Sequence, residues 1–181
     1  SNPRVTGIIA IKVQEGDRLL SAELTDGEQH IFLGTYLGKS IRFPEKQCRS
    51  MGRDTMGVKG IKLAEGDVVV GVDIVGQVGA MLTVTENGFG KRTDVNQYRA
   101  QNRGGKGLID IKTSPRNGPV VAQKLVDEEG EVMIITSAGK LIRTAVKGIK
   151  VQGRNTQGVK VIDAGASEHV VAVARLREVA T

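Results

Sequence analysis

The sequence predicts an all-β domain built from repeated units of about 50 residues. A glycine that opens each unit recurs at Gly7, Gly57, Gly107 and Gly158, with spacings of 50, 50 and 51 residues. The segments between these glycines are short, rich in Val, Ile and Thr, and bounded by Asp-Gly, Asn-Gly and Gly-Lys pairs, which is typical of strands and hairpins. No apolar face with a 3.6-residue period extends beyond two turns, so no helix is predicted. Because one small sheet cannot bury its own apolar face, the units must stack.

Each unit begins with two predicted strands. The first follows the opening glycine directly, as GIIAIKV, GVKGIKL, GLIDIKT and GVKVIDA. The second follows a turn, as LLSAELT, VVVGVDIV, PVVAQKLV and HVVAVARL. The fourth unit ends after its second strand, so we count three and a half units in one repeat domain spanning residues 1–181.

A predicted hairpin with a basic second strand closes each of the first three units. The three segments are HIFLGTYLGKSIRF, MLTVTENGFGKRTDV and VMIITSAGKLIRTAV. In register, an arginine recurs in each hairpin and a lysine lies close to it: Arg42, Arg92 and Arg143, with Lys39, Lys91 and Lys140. Equivalent side chains of stacked units lie along one rim, so these cations are predicted to form a stripe that follows a phosphate backbone.

A glycine-rich heptad, QNRGGKG at 101–107, recurs in weaker form as MGRDTMG at 51–57 and QGRNTQG at 152–158. Each copy has arginine at its third position, namely Arg53, Arg103 and Arg154. A flexible turn of this kind can bring backbone N–H groups and the charges of Arg103 and Lys106 to one phosphate. Within the repeat, its glycines are also expected to shape the chain between units.

Composition narrows the function further. The net charge of +6 favours a polyanionic partner, whereas 3% aromatic residues and no Trp argue against stacked bases. The single cysteine, Cys48, excludes an internal disulfide and a cysteine zinc cluster. The chain has no GxxxxGK[ST], GxSxG or HExxH pattern and no apolar run of ~20 residues that would span a bilayer. We therefore predict no catalytic residues, no metal and no cofactor.

These patterns resemble one family. The heptad, with TENGFGKRTDVNQYR before it and GKLIRTAVKGIKVQGRNTQGVKVI after it, is similar to the C-terminal domain of the bacterial DNA gyrase A subunit. The heptad matches the box motif of that family, Gln-Arg-Arg-Gly-Gly-Lys-Gly, except at its second residue. The motif would comprise Gln101, Asn102, Arg103, Gly104, Gly105, Lys106 and Gly107.

The resemblance implies a β-pinwheel, a propeller-like ring of hairpin-exchanged blades whose basic rim binds and bends double-stranded DNA without strong sequence preference. It implies that the domain supports ATP-dependent negative supercoiling within an A2B2 holoenzyme, in the cytoplasm and associated with the nucleoid. The chain itself is then no enzyme, because the catalytic domains of this isomerase lie elsewhere. DNA contacts are expected at Lys39, Arg42, Arg53, Lys91, Arg92, Arg103, Lys106, Lys140, Arg143 and Arg154.

Two departures from the family pattern qualify this picture. The family domain has about six blades and carries its box in the first, whereas the best heptad here lies in the middle of three and a half units. We therefore expect the later blades of a larger pinwheel, in which residues 7–13 would form an open sheet edge. The C-terminal domain of the topoisomerase IV A subunit, with a degraded box, and a protein-interaction propeller with a basic rim are the alternatives.

Overall fold

The computed structural model describes residues 7–165 and 167–176, which form three antiparallel sheets and no α-helix. Three short 3₁₀ helices occur, at Glu45–Gln47, Val95–Gln97 and Val146–Gly148. The strands are β1 His30–Thr35, β2 Lys39–Pro44, β3 Val69–Val75, β4 Ala80–Thr85, β5 Phe89–Asp94, β6 Leu108–Ile109, β7 Val120–Val126, β8 Glu131–Thr136, β9 Leu141–Ala145, β10 Val159–Lys160 and β11 Val170–Leu176. The predicted all-β class is confirmed.

Each sheet is built around one hairpin and completed by strands from later in the chain. The strand orders are β3-β1-β2-β6 in the first sheet, β10-β5-β4-β7 in the second and β11-β8-β9 in the third. The three predicted hairpins are therefore present as β1-β2, β4-β5 and β8-β9. Strands β3, β7 and β11 each begin in the following unit and pair with the preceding hairpin, which is the blade exchange that the family resemblance implies.

One edge of every sheet lies at a common axis. Strand β7 contacts both β3 and β11, and each of these strands is an edge strand of its own sheet. In the first two sheets the opposite edge is formed by the two-residue strands β6 and β10. These short strands, and the heptads that precede them, therefore lie on the outer rim.

A carboxylate joins the three axial strands. Asp73 on β3 is 5% exposed, and its Oδ2 accepts a hydrogen bond from the backbone N–H of Leu125 on β7 at 2.8 Å. Arg175 on β11 donates to the carbonyl of Leu125 at 2.9 Å and lies 3.6 Å from Asp73 Oδ1. This contact fixes neighbouring sheets relative to one another where they meet.

The second and third heptads end on a glycine that no other residue could replace without movement. Gly107 has φ +70°, and a Cβ there would lie 2.4 Å from the carbonyl oxygen of Ser40. Gly158 has φ +76°, and its Cβ would lie 2.9 Å from the carbonyl oxygen of Gly90. Both constraints arise because β6 and β10 bond closely to the hairpin strands β2 and β5.

The prediction of the first two strands of the first unit is wrong for this structure. Residues 7–28 contain no strand, and apolar side chains such as Leu19 and Leu24 are exposed. The equivalent strands β3, β7 and β11 each pair with a hairpin about 40 residues earlier, and residues 19–25 have no such partner within this sequence. Likewise residues 58–59, equivalent to β6, do not form a strand. A strand sequence forms a strand only where a partner can satisfy its backbone groups.

Candidate nucleic-acid interface

Two of the three recurring hairpin arginines are buried and join adjacent sheets. Arg42 is 8% exposed and donates to the carbonyls of Val95 at 3.2 Å and Gly76 at 3.0 Å. Arg92 is 6% exposed and donates to the carbonyls of Ile149 at 2.7 Å and Lys147 at 3.3 Å. Each guanidinium thus satisfies backbone acceptors at the 3₁₀ corner of the next sheet. Their predicted role as phosphate contacts does not fit this geometry.

The environment of Arg42 includes a histidine that must be neutral. Arg42 Nε donates to Nδ1 of His30 at 3.1 Å. Burial, with the nearby Arg42 charge adding to it, lowers the pKa of His30 below its ordinary value. The imidazole therefore accepts this hydrogen bond and adds no charge.

The third arginine of the set behaves differently. Arg143 is exposed and forms an ion pair with Glu131 on the neighbouring strand, with Nε to Oε2 at 2.7 Å. Its hairpin, β8-β9, is followed by no further sheet among residues 7–165 and 167–176. Arg143 remains available to an anion, although Glu131 offsets part of its charge.

The hairpin lysines are likewise divided. Lys91 has no exposed surface, and its ammonium donates to the carbonyls of Asp110, Gly153 and Arg154 at 2.6, 2.7 and 2.7 Å. Lys91 therefore cannot reach a phosphate in this conformation. Lys39 is half-buried, and Lys140 is exposed with its ammonium 2.6 Å from Glu168.

Lys91 should make the stability of the domain depend on pH. Burial, opposed by Asp110, lowers the pKa of Lys91 from 10.5 to about 8. Between these values the unfolded chain binds a proton that the folded chain has lost, so the free energy of unfolding should rise with pH. Urea titrations at pH 7.5 and 9.5 should show this gain for the wild type relative to Lys91→Met. The same change in both proteins would contradict it.

The central heptad uses its backbone N–H groups internally. The N–H of Gln101 donates to the carbonyl of Arg42 at 2.8 Å, that of Arg103 to Gln47 Oε1 at 2.7 Å, and that of Gly104 to the carbonyl of Gly60 at 2.6 Å. These three donors are not free to form a phosphate nest. The heptad instead joins neighbouring units through these hydrogen bonds, which agrees with the expected conformational role of its glycines.

The heptad arginines lie at the same rim but keep part of their surface. Arg103 donates through Nη1 to the carbonyl of Lys59 at 2.7 Å, and Arg154 makes the equivalent bond to Ile109 at 2.9 Å. Both are half-buried, whereas Arg53, Asn102 and Lys106 are exposed. Arg103 Nε also donates to the carbonyl of Gln47 at 3.2 Å, and neither guanidinium uses all five of its N–H donors within the described residues.

A second recurring cation lies beside each heptad, and the sequence reasoning missed it. Lys12, Lys62 and Lys112 are exposed, and their backbone N–H groups donate to Thr55, Gly105 and Thr156 at 3.0, 2.8 and 2.8 Å. These carbonyls occupy the fifth position of the three heptads, so each lysine sits beside the heptad whose arginine is equivalent in the repeat. We call these combinations the rim pairs: Lys12 with Arg53, Lys62 with Arg103, and Lys112 with Arg154.

The signal for these lysines was visible in the repeat. Each lysine lies five residues after the opening glycine and directly follows an isoleucine, in GIIAIKV, GVKGIKL and GLIDIKT. The isoleucines Ile61 and Ile111 are buried at 7% and 1% exposure, and alternation along an extended chain then directs the next side chain outward. In the fourth unit Asp163 takes this place, bound to Lys160 at 2.6 Å.

The fold and the rim together define a propeller-like repeat domain with a periodic cationic edge. None of the described residues forms a helix long and apolar enough to cross a bilayer. A family model described as "DNA gyrase C-terminal domain, beta-propeller" matches residues 4–26, 29–76, 80–122 and 130–177. The chain belongs to this family.

Individual relatives agree with this assignment. The DNA gyrase A subunit of Salmonella typhimurium is 47% identical over 178 residues, covering 98% of this chain and 20% of the relative. That of Staphylococcus aureus is 47% identical over 174 residues, covering 95% and 20%. The chain therefore spans about a fifth of the length of these relatives.

Solved structures show the same architecture. A DNA gyrase A C-terminal domain superposes with a TM-score of 0.87 at 29% identity, covering 95% of this chain and 59% of the other. The C-terminal domain of a DNA topoisomerase IV gives 0.89 at 22% identity, covering 94% and 53%, which shows the fold alone.

Proposed function

We propose that this chain binds double-stranded DNA along its outer rim, through the phosphate backbone and without strong sequence preference. The observation that carries this proposal is the periodicity of the rim pairs. Three successive heptads each combine a lysine and an arginine at the outer edge, one pair per unit. Cations that recur once per unit along the outer rim match a continuous line of phosphates better than they match a compact ligand.

The chemistry of the rim favours backbone contacts over base readout. The described residues include no helix that could enter the major groove, and the rim side chains are lysines and arginines on short loops. Such contacts position a duplex but carry no sequence information. Because successive pairs lie around a curved edge, a duplex that engages all of them must bend, and its deformability becomes the source of any preference.

Within a longer protein, this rim would serve the DNA wrapping of a gyrase. We propose that the chain forms the later blades of a larger pinwheel in a gyrase A subunit, which joins the B subunit in an A2B2 holoenzyme. The bound duplex would be presented to catalytic domains outside this chain, supporting ATP-dependent negative supercoiling by that isomerase in the cytoplasm, at the nucleoid. The residues that we propose to contact DNA are the three rim pairs and, in addition, Lys39, Lys106, Lys140 and Arg143.

Titration of a fluorescent 40-base-pair duplex with the chain at several salt concentrations tests this function. If the three rim pairs provide about six phosphate contacts, the affinity should fall roughly 1000-fold between 50 and 200 mM salt. Duplexes of unrelated sequence should bind within a small factor of one another. An affinity that does not change with salt would contradict a rim of phosphate contacts.

The same titration separates DNA from an acidic protein partner. A polyglutamate peptide of equal charge is the comparison ligand, since it offers carboxylates without the duplex geometry. Tighter binding to the duplex is expected, because its phosphates follow a continuous path along the rim pairs. No duplex binding together with tight peptide binding would replace this proposal by a protein-interaction module.

A further inference from the structure

A buried polar cluster lies where the core of the second sheet meets the segment that follows β6. It comprises five side chains from different elements: Thr83, Lys91, Tyr98, Asp110 and Gln123. Each is at most 1% exposed. The Asp110 carboxylate accepts hydrogen bonds from Tyr98 Oη, from Thr83 Oγ1 at 2.8 Å and from Gln123 Nε2 at 2.5 Å.

The protonation states follow from these contacts. Burial, reinforced by the Asp110 charge and hydrogen bond, raises the pKa of Tyr98 well above its ordinary value, so the phenol remains a donor. Three donors converge on the Asp110 carboxylate, which suits its ionised form. The cluster thus buries one anion, and the Lys91 ammonium donates a hydrogen bond to the backbone carbonyl of the same aspartate at 2.6 Å.

The fold does not need this cluster, because the neighbouring sheets fill the same positions with apolar side chains. Strand register and the 3₁₀ corners make Thr83, Lys91, Tyr98 and Gln123 equivalent to four residues of each neighbour. These are Leu33, Ile41, Cys48 and Val72 in the first sheet, and Ile134, Ile142, Ile149 and Val173 in the third. Asp110 corresponds to Val161, since the N–H groups of both donate to a hairpin-turn glycine carbonyl.

Burying charges where apolar residues suffice usually costs stability. Because the cluster occurs at only one of these equivalent positions in the described residues, the needs of the fold do not explain it. Its contacts point outward, because Lys91 holds the carbonyls of Gly153 and Arg154 within the rim loop 152–158 at 2.7 Å each. The equivalent residues Ile41 and Ile142 can make no such bond.

The cluster also holds the chain on the other side of that loop. Asp110 lies between Ile109, whose carbonyl accepts from Arg154 Nη1 at 2.9 Å, and Lys112, whose N–H donates to Thr156 at 2.8 Å. Arg154 is therefore bonded directly to the cluster through its own carbonyl, and Lys112 follows Asp110 by two residues. The first two rim pairs have no equivalent ionic support.

We infer that the buried Lys91–Asp110 cluster positions the Lys112–Arg154 rim pair for contact with a DNA phosphate backbone, an inference that rests on the proposed function. Its five members are positioning residues that never touch DNA. The ammonium satisfies two rim-loop carbonyls that would otherwise be partly desolvated, and the carboxylate fixes the short strand from which Lys112 follows. With both held, Arg154 presents its free donors in one orientation.

A repacked variant tests this inference without changing the charge. Thr83→Ile, Lys91→Ile, Tyr98→Ile and Gln123→Val install the equivalent third-sheet residues, and Asp110→Val installs the residue equivalent to Asp110 in the next unit, Val161. One cation and one anion are lost together, so the net charge is unchanged, and every rim cation remains. We expect the Kd for a DNA duplex to rise about tenfold and the slope of log K against log salt to fall by roughly 1 to 2, the loss of one or two phosphate contacts.

A double-mutant cycle with Lys112→Gln/Arg154→Gln supplies the control. If the cluster acts through this rim pair, the two losses should not add, because the repacked variant has already lost those contacts. Lys62→Gln/Arg103→Gln, at a rim pair outside the cluster, should add fully to the repacking. Wild-type affinity and slope in the repacked variant, or full additivity at Lys112 and Arg154, would overturn the inference.

Hydrogen exchange at the Lys112 and Gln152 amides provides a measurement that does not require DNA. Exchange at both should be faster in the repacked variant, and in Lys91→Met should the repacked chain fail to fold. Unchanged exchange would exclude a positioning role. If the wild-type chain binds no duplex, the proposed function is wrong. Faster exchange in the repacked variant would still show, independently of DNA, that the cluster holds the rim loop.

Discussion

Reversing the charge of Lys62 and Lys112 together is expected to weaken duplex binding by roughly 100-fold at moderate salt and to lower the salt slope by about 2. Each lysine is exposed, is held to a heptad through its backbone alone, and lies beside a heptad arginine. The double Lys→Glu variant removes two phosphate contacts and places a carboxylate beside each arginine. Titration of a labelled duplex over a salt series measures both quantities.

A matched control separates position from overall charge. Lys46→Glu/Lys147→Glu makes the same change of four charges at two exposed lysines that already face Glu28 and Glu129. This control should bind DNA with an affinity close to that of the wild type. If both double variants lost affinity equally, the net charge of +6 would govern binding rather than the rim pairs.

Arg92→Ala is expected to destabilise the domain by about 3 kcal/mol, because it leaves buried carbonyls at the next 3₁₀ corner without a donor. The guanidinium bonds to Ile149 and Lys147 join the second sheet to the third. Urea unfolding monitored by circular dichroism measures the loss. DNA affinity, measured under conditions where the variant is still folded, should change little.

The repeat provides the control for this prediction. Arg143 occupies the same position in the third hairpin, but it is exposed and contacts only Glu131. Arg143→Ala should leave the unfolding midpoint unchanged and should cost at most one phosphate contact. Equal destabilisation by the two substitutions would mean that Arg92 does not act as a link between sheets.

Hairpins were the most predictable part of this molecule. Each has its turn, its β-branched residues and its cross-strand partner within about 15 residues, so the determinants of pairing are local in sequence. The strands that depend on distant partners were less certain. VVVGVDIV became β3 because a hairpin precedes it, whereas LLSAELT, with the same pattern, forms no strand here.

The candidate site shows the same division. Recurrence of arginine identified positions that matter in every unit, but it could not distinguish a buried link between sheets from an exposed phosphate contact. A buried link and an exposed phosphate contact would each produce an arginine that recurs once per unit. Only the packing of the next sheet onto the hairpin buries Arg42 and Arg92 while leaving Arg143 exposed.

By itself, the sequence determined the repeat, the all-β class, the hairpins and the family, because these depend on local propensity and on a period that can be read directly. The tertiary structure alone decided which strands have partners, which cations face solvent, and that three backbone N–H groups of the central heptad donate to Arg42, Gln47 and Gly60. It also brought Lys91 to Asp110 and to the loop 152–158. The hydrogen-bond partners of Lys91 lie 19, 62 and 63 residues away in sequence, so no local pattern could indicate that this cation bonds to carbonyls instead of water.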